Sequence, residues 1–507
     1  MFRADNAPAL AVKRAATLSL AGIALFSIGV HCLVNQRYGF HRDEFPVIDD
    51  AWHLAWGYPA YPPVTPLIAR VALAIFGPSL VTLRLFSAAG FGIAIVVTGL
   101  IARELGGRFW AQMLAAASVA IAPVPLHNSG LFQYVTWDYL AWVLCAYFLI
   151  RRCRSGDQRW WIAIGASIAV GILSKYTMGI FVIALAAAVL LTPLRRDLTS
   201  KWLWLGALLC VLLILPHVIW QLRHHFVSFA FLRDIRARDY RQGRSDGFLA
   251  QQFLVGANFV ALPLWLTGLW FYLVSEAGRR FRVVGWLYLG LLILFIVLHG
   301  RSYYLAPAYP MLLAAGSYVW VELVSRFKPV WRTTAAVATI LLVTIGGIGA
   351  AGLLMPMAPI NSPLWQRSAR LQDDFAEEIG WPDLTDAVAK VYHAQAANGR
   401  VAILCGNYGE AGAINLYGPA HNLPPAISAV NSYWARGYGQ PQPETVVLVG
   451  FSRKAAERYF AEVSLAGHVT NHFGVSNEES RDHPDIFVCR HPKLPWPKLW
   501  NGLRSFG

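Results

Sequence analysis

Long apolar runs separated by short polar connections fill the first 355 residues, and the pattern changes abruptly after them. The runs are about 17 to 25 residues long, the length a helix needs to cross a hydrocarbon core. They are expected to be helical, because a bilayer offers free backbone N–H and C=O groups no partner. About eleven spans are predicted, near 14–34, 81–102, 109–126, 131–150, 160–175, 178–194, 202–222, 253–274, 284–298, 303–323 and 333–354. The first run lacks a small-residue cleavage pattern before Val34 and reads as a retained anchor rather than a signal peptide. From about Asn361 apolar and polar positions mix. Strand-like segments at 401–405, 445–449 and 485–489 alternate with helical stretches near 383–397 and 453–464, which predicts a small α/β domain. The expected architecture is a polytopic α-helical membrane region, 1–355, followed by an α/β domain, 356–507.

Composition agrees: 56% of the 507 residues are hydrophobic, 14% are charged, and mean hydropathy is +0.45. A water-soluble chain of this length needs far less apolar surface. The formal net charge of +15 reads as topology rather than nucleic-acid affinity, since every second connection is basic. Arg103 and Arg108 form one such connection, followed by Arg151, Arg152, Arg154 and Arg159, then Arg195, Arg196 and Lys201. Arg279, Arg280 and Arg282 come next, then Arg326, Lys328 and Arg332, and the N-terminal tail carries Arg3, Lys13 and Arg14. The positive-inside rule places these and the N-terminus in the cytoplasm. It leaves the 35–80 loop, the 223–250 loop and the α/β domain on the outer side. Six cysteines (Cys32, Cys145, Cys153, Cys210, Cys405, Cys489) lack metal-ligand spacing. Cys405 and Cys489 fall in separate predicted strands on an oxidising side, where a disulfide is open but not fixed by spacing.

One outer loop breaks the charge rule. It holds Arg223, Arg233, Arg236, Arg238, Arg241 and Arg244. Two readings stand: recognition of anionic phosphate, or contact with headgroups and pairing with Asp234, Asp239 and Asp246 within the loop. A second feature lies just past the first span, where Arg42-Asp43-Glu44 sets two carboxylates at the membrane surface. That is the depth at which a lipid-bound substrate presents its head. Gly406 to Gly412 follows a strand, but its glycine spacing misses the dinucleotide fingerprint, so a structural turn is expected over a phosphate cradle.

Several segments taken in order carry a family resemblance. They are Arg42-Asp43-Glu44, His53 to Tyr58, Tyr61-Pro62-Pro63, Leu83 to Ser87, Ala102 to Gly107, Trp137-Asp138, Leu173 to Tyr176 and Arg301 to Pro310. Together they resemble glycosyltransferase family 39, the protein mannosyltransferase-like GT-C membrane enzymes of bacteria, over about two-thirds of the chain. The resemblance implies transfer of a hexosyl or pentosyl group from a polyprenyl-phosphate donor, with inversion, to lipid A, another envelope glycan or a protein.

By that resemblance Asp43 takes the proton of the acceptor hydroxyl, and Glu44 orients the acceptor or the base, or holds a divalent metal where one is used. The leaving phosphate needs fixed cations, for which Lys175 and Arg301 with Tyr303 and Tyr304 are candidates, as is Arg42 beside the dyad. A snorkelling lysine and interfacial tyrosines are the ordinary alternatives. Asp138, His53 and Tyr61 are candidates for holding sugar or acceptor. Asp138 also suits a helix N-terminus, and Tyr61 stands where many relatives have His, which weakens any metal or sugar contact there. No obligatory metal or other cofactor is expected. The competing class is a multi-pass lipid or solute transporter or flippase, which calls for mid-span charges and two similar halves. Few such charges and no convincing repeat occur.

Overall fold

The computed structural model describes residues 7–395 and 399–507; Arg3 of the basic tail and the end of the expected 383–397 helix lie outside them. The chain divides into two compact units. A helical unit contains the chain up to Asn35, Arg84–Trp220 and Asp239–Met355. A polar unit contains Gln36–Leu83, Gln221–Arg238 and Pro356–Gly507.

In the helical unit the apolar runs are helices, as their periodicity requires. Among the described residues five helices are long and apolar enough to cross a membrane: Lys13–Val34, Leu80–Glu104, Lys201–Arg223, Arg279–Val297 and Pro329–Leu354. Two bent pairs, Thr177–Leu190 with Pro193–Thr199 and Phe248–Leu254 with Phe259–Leu273, bring the number to seven if each is one span. Several expected spans are interrupted. The 109–126 run divides into helices Phe109–Ala120 and Pro123–Asn128, since a proline lacks the N–H that would continue the first ladder and suits a helix start instead. The 303–323 run opens as a 3₁₀ turn, Ser302–Ala308, before the helix Tyr309–Ser325. Small residues let helices touch backbone to backbone: a Cβ on Gly268 would lie 2.0 Å from the Leu312 carbonyl oxygen.

In the polar unit five strands form one sheet: β1 (Val401–Cys405), β2 (Ile427–Ser428), β3 (Thr445–Val449), β4 (Phe460–His468) and β5 (Asp485–Pro492). Their spatial order is β2-β1-β3-β5-β4, parallel across β2-β1-β3 and antiparallel across β3-β5-β4. The expected 453–464 helix is corrected: it stops at Tyr459, and Phe460 begins β4. Phe460 is buried while most of β4 is exposed, so this edge strand lacks the full alternation that marks a half-buried strand in sequence. All six cysteines are free thiols, with Cys405 on β1 and Cys489 on β5, two strands separated by β3. The segment after the first span folds here, as helices Glu44–Trp52 and Val64–Phe76.

Candidate active site

Asp43 is the residue before the helix Glu44–Trp52, and its side chain accepts no hydrogen bond from that helix's own amides. Its Oδ1 accepts from the Tyr408 hydroxyl at 2.8 Å. Tyr408 is the first residue of the helix Tyr408–Tyr417, which follows β1. Burial and the neighbouring Asp43 hold the Tyr408 phenol well above its usual range, so it stays a donor. The Asp43 N–H donates to His41 Nδ1 at 3.1 Å, which assigns the ring proton to Nε2, 3.4 Å from Asp374. Glu44 is fully buried and reaches back to accept the His41 N–H at 2.7 Å. The two acids of the dyad therefore differ. Glu44 closes the turn, and Asp43 is half-buried at its edge.

Arg42 turns toward carboxylates. It pairs with Glu478, lies 4.0 Å from both Glu377 and Glu479, and sits 5.8 Å above the Tyr408 ring. Its Cγ occupies the space a Cβ on Gly409 would take, 2.3 Å away. That glycine explains part of the Gly406 to Gly412 motif. The rest is a capping box: Asn407 accepts the Glu410 N–H at 2.9 Å, while Glu410 Oε2 accepts from Gly406 and Asn407 at 3.1 and 3.2 Å. The chain's own carboxylate thus fills the place a phosphate would need. Burial raises Glu410 to about 7 despite those N–H donors, and burial also raises Glu479.

A second acidic pair on the same helix, Asp49-Asp50, escaped the sequence reading. Asp50 accepts from the Tyr61 hydroxyl at 2.6 Å and pairs with Arg436, whose Nη1 is 3.5 Å from Asp49. Asn415 donates to Asp49 at 2.7 Å. Burial lifts Asp50 to about 6, against the pull of Arg436 and Tyr61. Tyr61 is therefore buried in a network, while His53 is exposed, its Nδ1 2.9 Å from the Asp49 carbonyl. The signal was present: two adjacent acids about two turns beyond Asp43, with a Tyr-Pro-Pro turn behind them.

The helical unit gathers the other candidates. The helix Trp160–Ile172 ends just before Ser174-Lys175, and the next helix starts at Thr177. Lys175 Nζ lies 4.2 Å from the Tyr304 ring, 4.7 Å from Tyr303 and 5.5 Å from Tyr134. Three aromatic faces thus hold one cation. Arg301 makes a two-pronged pair with Asp239, both contacts 2.7 Å, and Arg244 approaches the same carboxylate at 3.7 Å. Asp138, on the first turn of Val135–Ser155, accepts from Trp142 at 3.0 Å and Thr177 at 2.8 Å. Its neighbours and burial suit a structural acid that orders the turn carrying Lys175. Asp239 was visible only as a loop carboxylate; its pairing with Arg301 joins positions 62 residues apart. Among the described residues, no three His, Cys, Asp or Glu side chains gather as a metal site.

The sequence signature of the dolichyl-phosphate-mannose-protein mannosyltransferase family matches residues 60–220. The structure is similar to ArnT from Cupriavidus metallidurans bound to undecaprenyl phosphate, with TM-score 0.59 and 14% identity over 96% of this chain and 98% of that one. The chain has the fold of the GT-C glycosyltransferases. The oligosaccharyltransferase AglB from Archaeoglobus fulgidus, in complex with an inhibitory peptide and a dolichol-phosphate, gives TM-score 0.53 at 15% identity, covering 86% of this chain and 70% of AglB. No curated protein sequence matches the chain.

Proposed function

We propose that the protein is a membrane glycosyltransferase that moves a sugar from a polyprenyl-phosphate carrier to an envelope acceptor at the outer face of the inner membrane. The observation that carries this reading is the half-buried Asp43 carboxylate, oriented by the Tyr408 hydroxyl at 2.8 Å. The acceptor hydroxyl would attack the anomeric carbon as Asp43 takes its proton, and the bond from that carbon to the phosphate oxygen would break. The departing polyprenyl phosphate keeps the electron pair and carries the charge, which Lys175 and Arg301 would stabilise. A single displacement inverts the anomeric centre. Tyr303 and Tyr304 hold Lys175 in place, and His53 is positioned to meet sugar or acceptor. The contacts of Arg42, Glu44, Tyr61 and Asp138 favour holding these segments over touching the substrate. Two fold relatives support the donor class, since ArnT is bound to undecaprenyl phosphate and AglB is in complex with a dolichol-phosphate.

In the same reading the chain crosses the membrane about eleven times, with shorter helices such as Phe109–Ala120 and Trp160–Ile172 completing the set. Residues 1–355 form the transferase body and 356–507 a periplasmic domain, with the N-terminus cytoplasmic. Vesicles holding the wild-type chain and a labelled pool of polyprenyl-phosphate sugars should release free polyprenyl phosphate and label an acceptor. If the wild type leaves every carrier intact but moves lipid or sugar across the bilayer, the transporter reading replaces this one.

A further inference from the structure

The helix Val227–Arg241 carries an arginine surplus that sugar transfer does not use. Its inner side is anchored within the polar unit: Ser228 donates to the Tyr58 carbonyl at 3.0 Å, and Phe231 meets Phe506 edge-on at 5.9 Å. The other side is uncovered. Phe229 is 68% exposed and Leu232 38%, with Arg233 and Arg236 exposed beside them. Positions 229, 232, 233 and 236 follow the three- and four-residue spacing of one helix face. Exposed Arg223 and Phe226 precede this face, and Asp234 is the one exposed carboxylate of the helix.

Aromatic rings alternating with guanidinium groups suit neither bulk water nor the hydrocarbon core. They suit the boundary between them, where rings enter the acyl edge and arginines meet phosphate. Chain connectivity puts the helix there. Arg223 closes the span-length helix Lys201–Arg223, and Val227 follows within about 14 Å of extended chain. His225 and Phe226, both at φ +53°, break the first helix from the second. We propose that the Phe229, Leu232, Arg233 and Arg236 face is an interfacial docking surface for anionic phospholipid headgroups of the surrounding bilayer. This assignment is independent of the transfer reaction.

The full-length protein in nanodiscs tests it, with a nitroxide on Ala237→Cys, an exposed position beside the face, and the signal of labelled wild type subtracted. In discs containing phosphatidylglycerol the label should be shielded from a water-soluble nickel reagent. In phosphatidylcholine discs, or at high salt, the shielding should be lost. Arg233→Gln with Arg236→Gln should do the same, because each arginine near an anionic surface strengthens attachment by about fivefold. Phe229→Ser, which keeps the charge, should lower the shielding while leaving its salt dependence. Equal shielding in both lipids would overturn the proposal in favour of uncharged insertion. Full water access in both would overturn it outright. A label that responds to inorganic phosphate in neutral discs would assign the face to a soluble or substrate phosphate instead.

Discussion

The two units hold a key cation in opposite ways. Lys175 sits among three tyrosine rings, whereas Arg42 sits among three carboxylates and one ring. Aromatic faces attract a cation without neutralising it, so the charge stays available to an incoming anion. Three carboxylates around one guanidinium more than offset the charge of Arg42 and leave it as a tether. The contrast teaches that the residue type alone does not say which cation binds phosphate. The sequence offered Lys175, Arg301 and Arg42 as candidates, and the partners of Lys175 and Arg42 in the structure set the two apart. The same contrast separates the acids, since Glu44 closes a backbone turn while Asp43 is oriented by a side chain from the C-terminal domain.

The largest effect expected is at Asp43. Asp43→Asn keeps the shape and the Tyr408 contact but removes the proton acceptor, and transfer should fall by about 10²–10⁴-fold. Equal expression and equal donor binding would tie the loss to chemistry. Lys175→Met keeps most of the packing and removes the charge; a drop of about 10²-fold in turnover is expected if the cation stabilises the leaving phosphate. Glu377→Gln, on the other side of the comparison, should leave donor binding unchanged.

Tyr408→Phe should slow transfer by about 10-fold, the scale of one hydrogen bond to a charged group. The acid limb of its pH–rate profile should move upward, because a carboxylate that loses a donor holds its proton more tightly. An unshifted profile would make Tyr408 merely structural.

Stability gives smaller signals. Gly409→Ala forces a methyl onto Arg42 Cγ, and a loss of about 1–3 kcal/mol is expected for such overpacking, read as a lower melting temperature. Gly268→Ala meets backbone rather than a flexible side chain and should destabilise the helical unit more. The pH effect follows from Glu410 at about 7 and Asp50 at about 6. Both pKa values lie above the ordinary carboxylate range, so the folded state binds the extra protons. Their contribution is complete below that ordinary range and is lost as pH rises through 6 to 7. Melting of the polar unit should therefore occur at lower temperature at about pH 8.5 than at about pH 5.5.

Much of this was legible from the chain. Apolar run length announces membrane helices, and three of the five strands stand out as short runs rich in branched residues. Asp43, Lys175 and Arg301 were singled out as candidates through their order along the chain. What was not legible depends on long-range packing. Tyr408 meets Asp43 across 365 positions, and Arg436 meets Asp50 across 386; no local spacing encodes either. Glu410 fell in a turn expected to be structural, and its return to the Gly406 and Asn407 amides gives the physical reason. β4 hid because its face is mostly exposed and it follows a helix without a turn residue.

The central claim is that proton transfer and phosphate binding reside on different residues, Asp43 and Lys175. The most direct measurement is the affinity of purified wild type, Asp43→Asn and Lys175→Met for undecaprenyl phosphate, taken beside their turnover. The account predicts that Asp43→Asn binds like wild type yet does not turn over, while Lys175→Met loses affinity. If Lys175→Met binds the carrier phosphate as tightly as wild type, or Asp43→Asn loses binding to the same extent, the division fails.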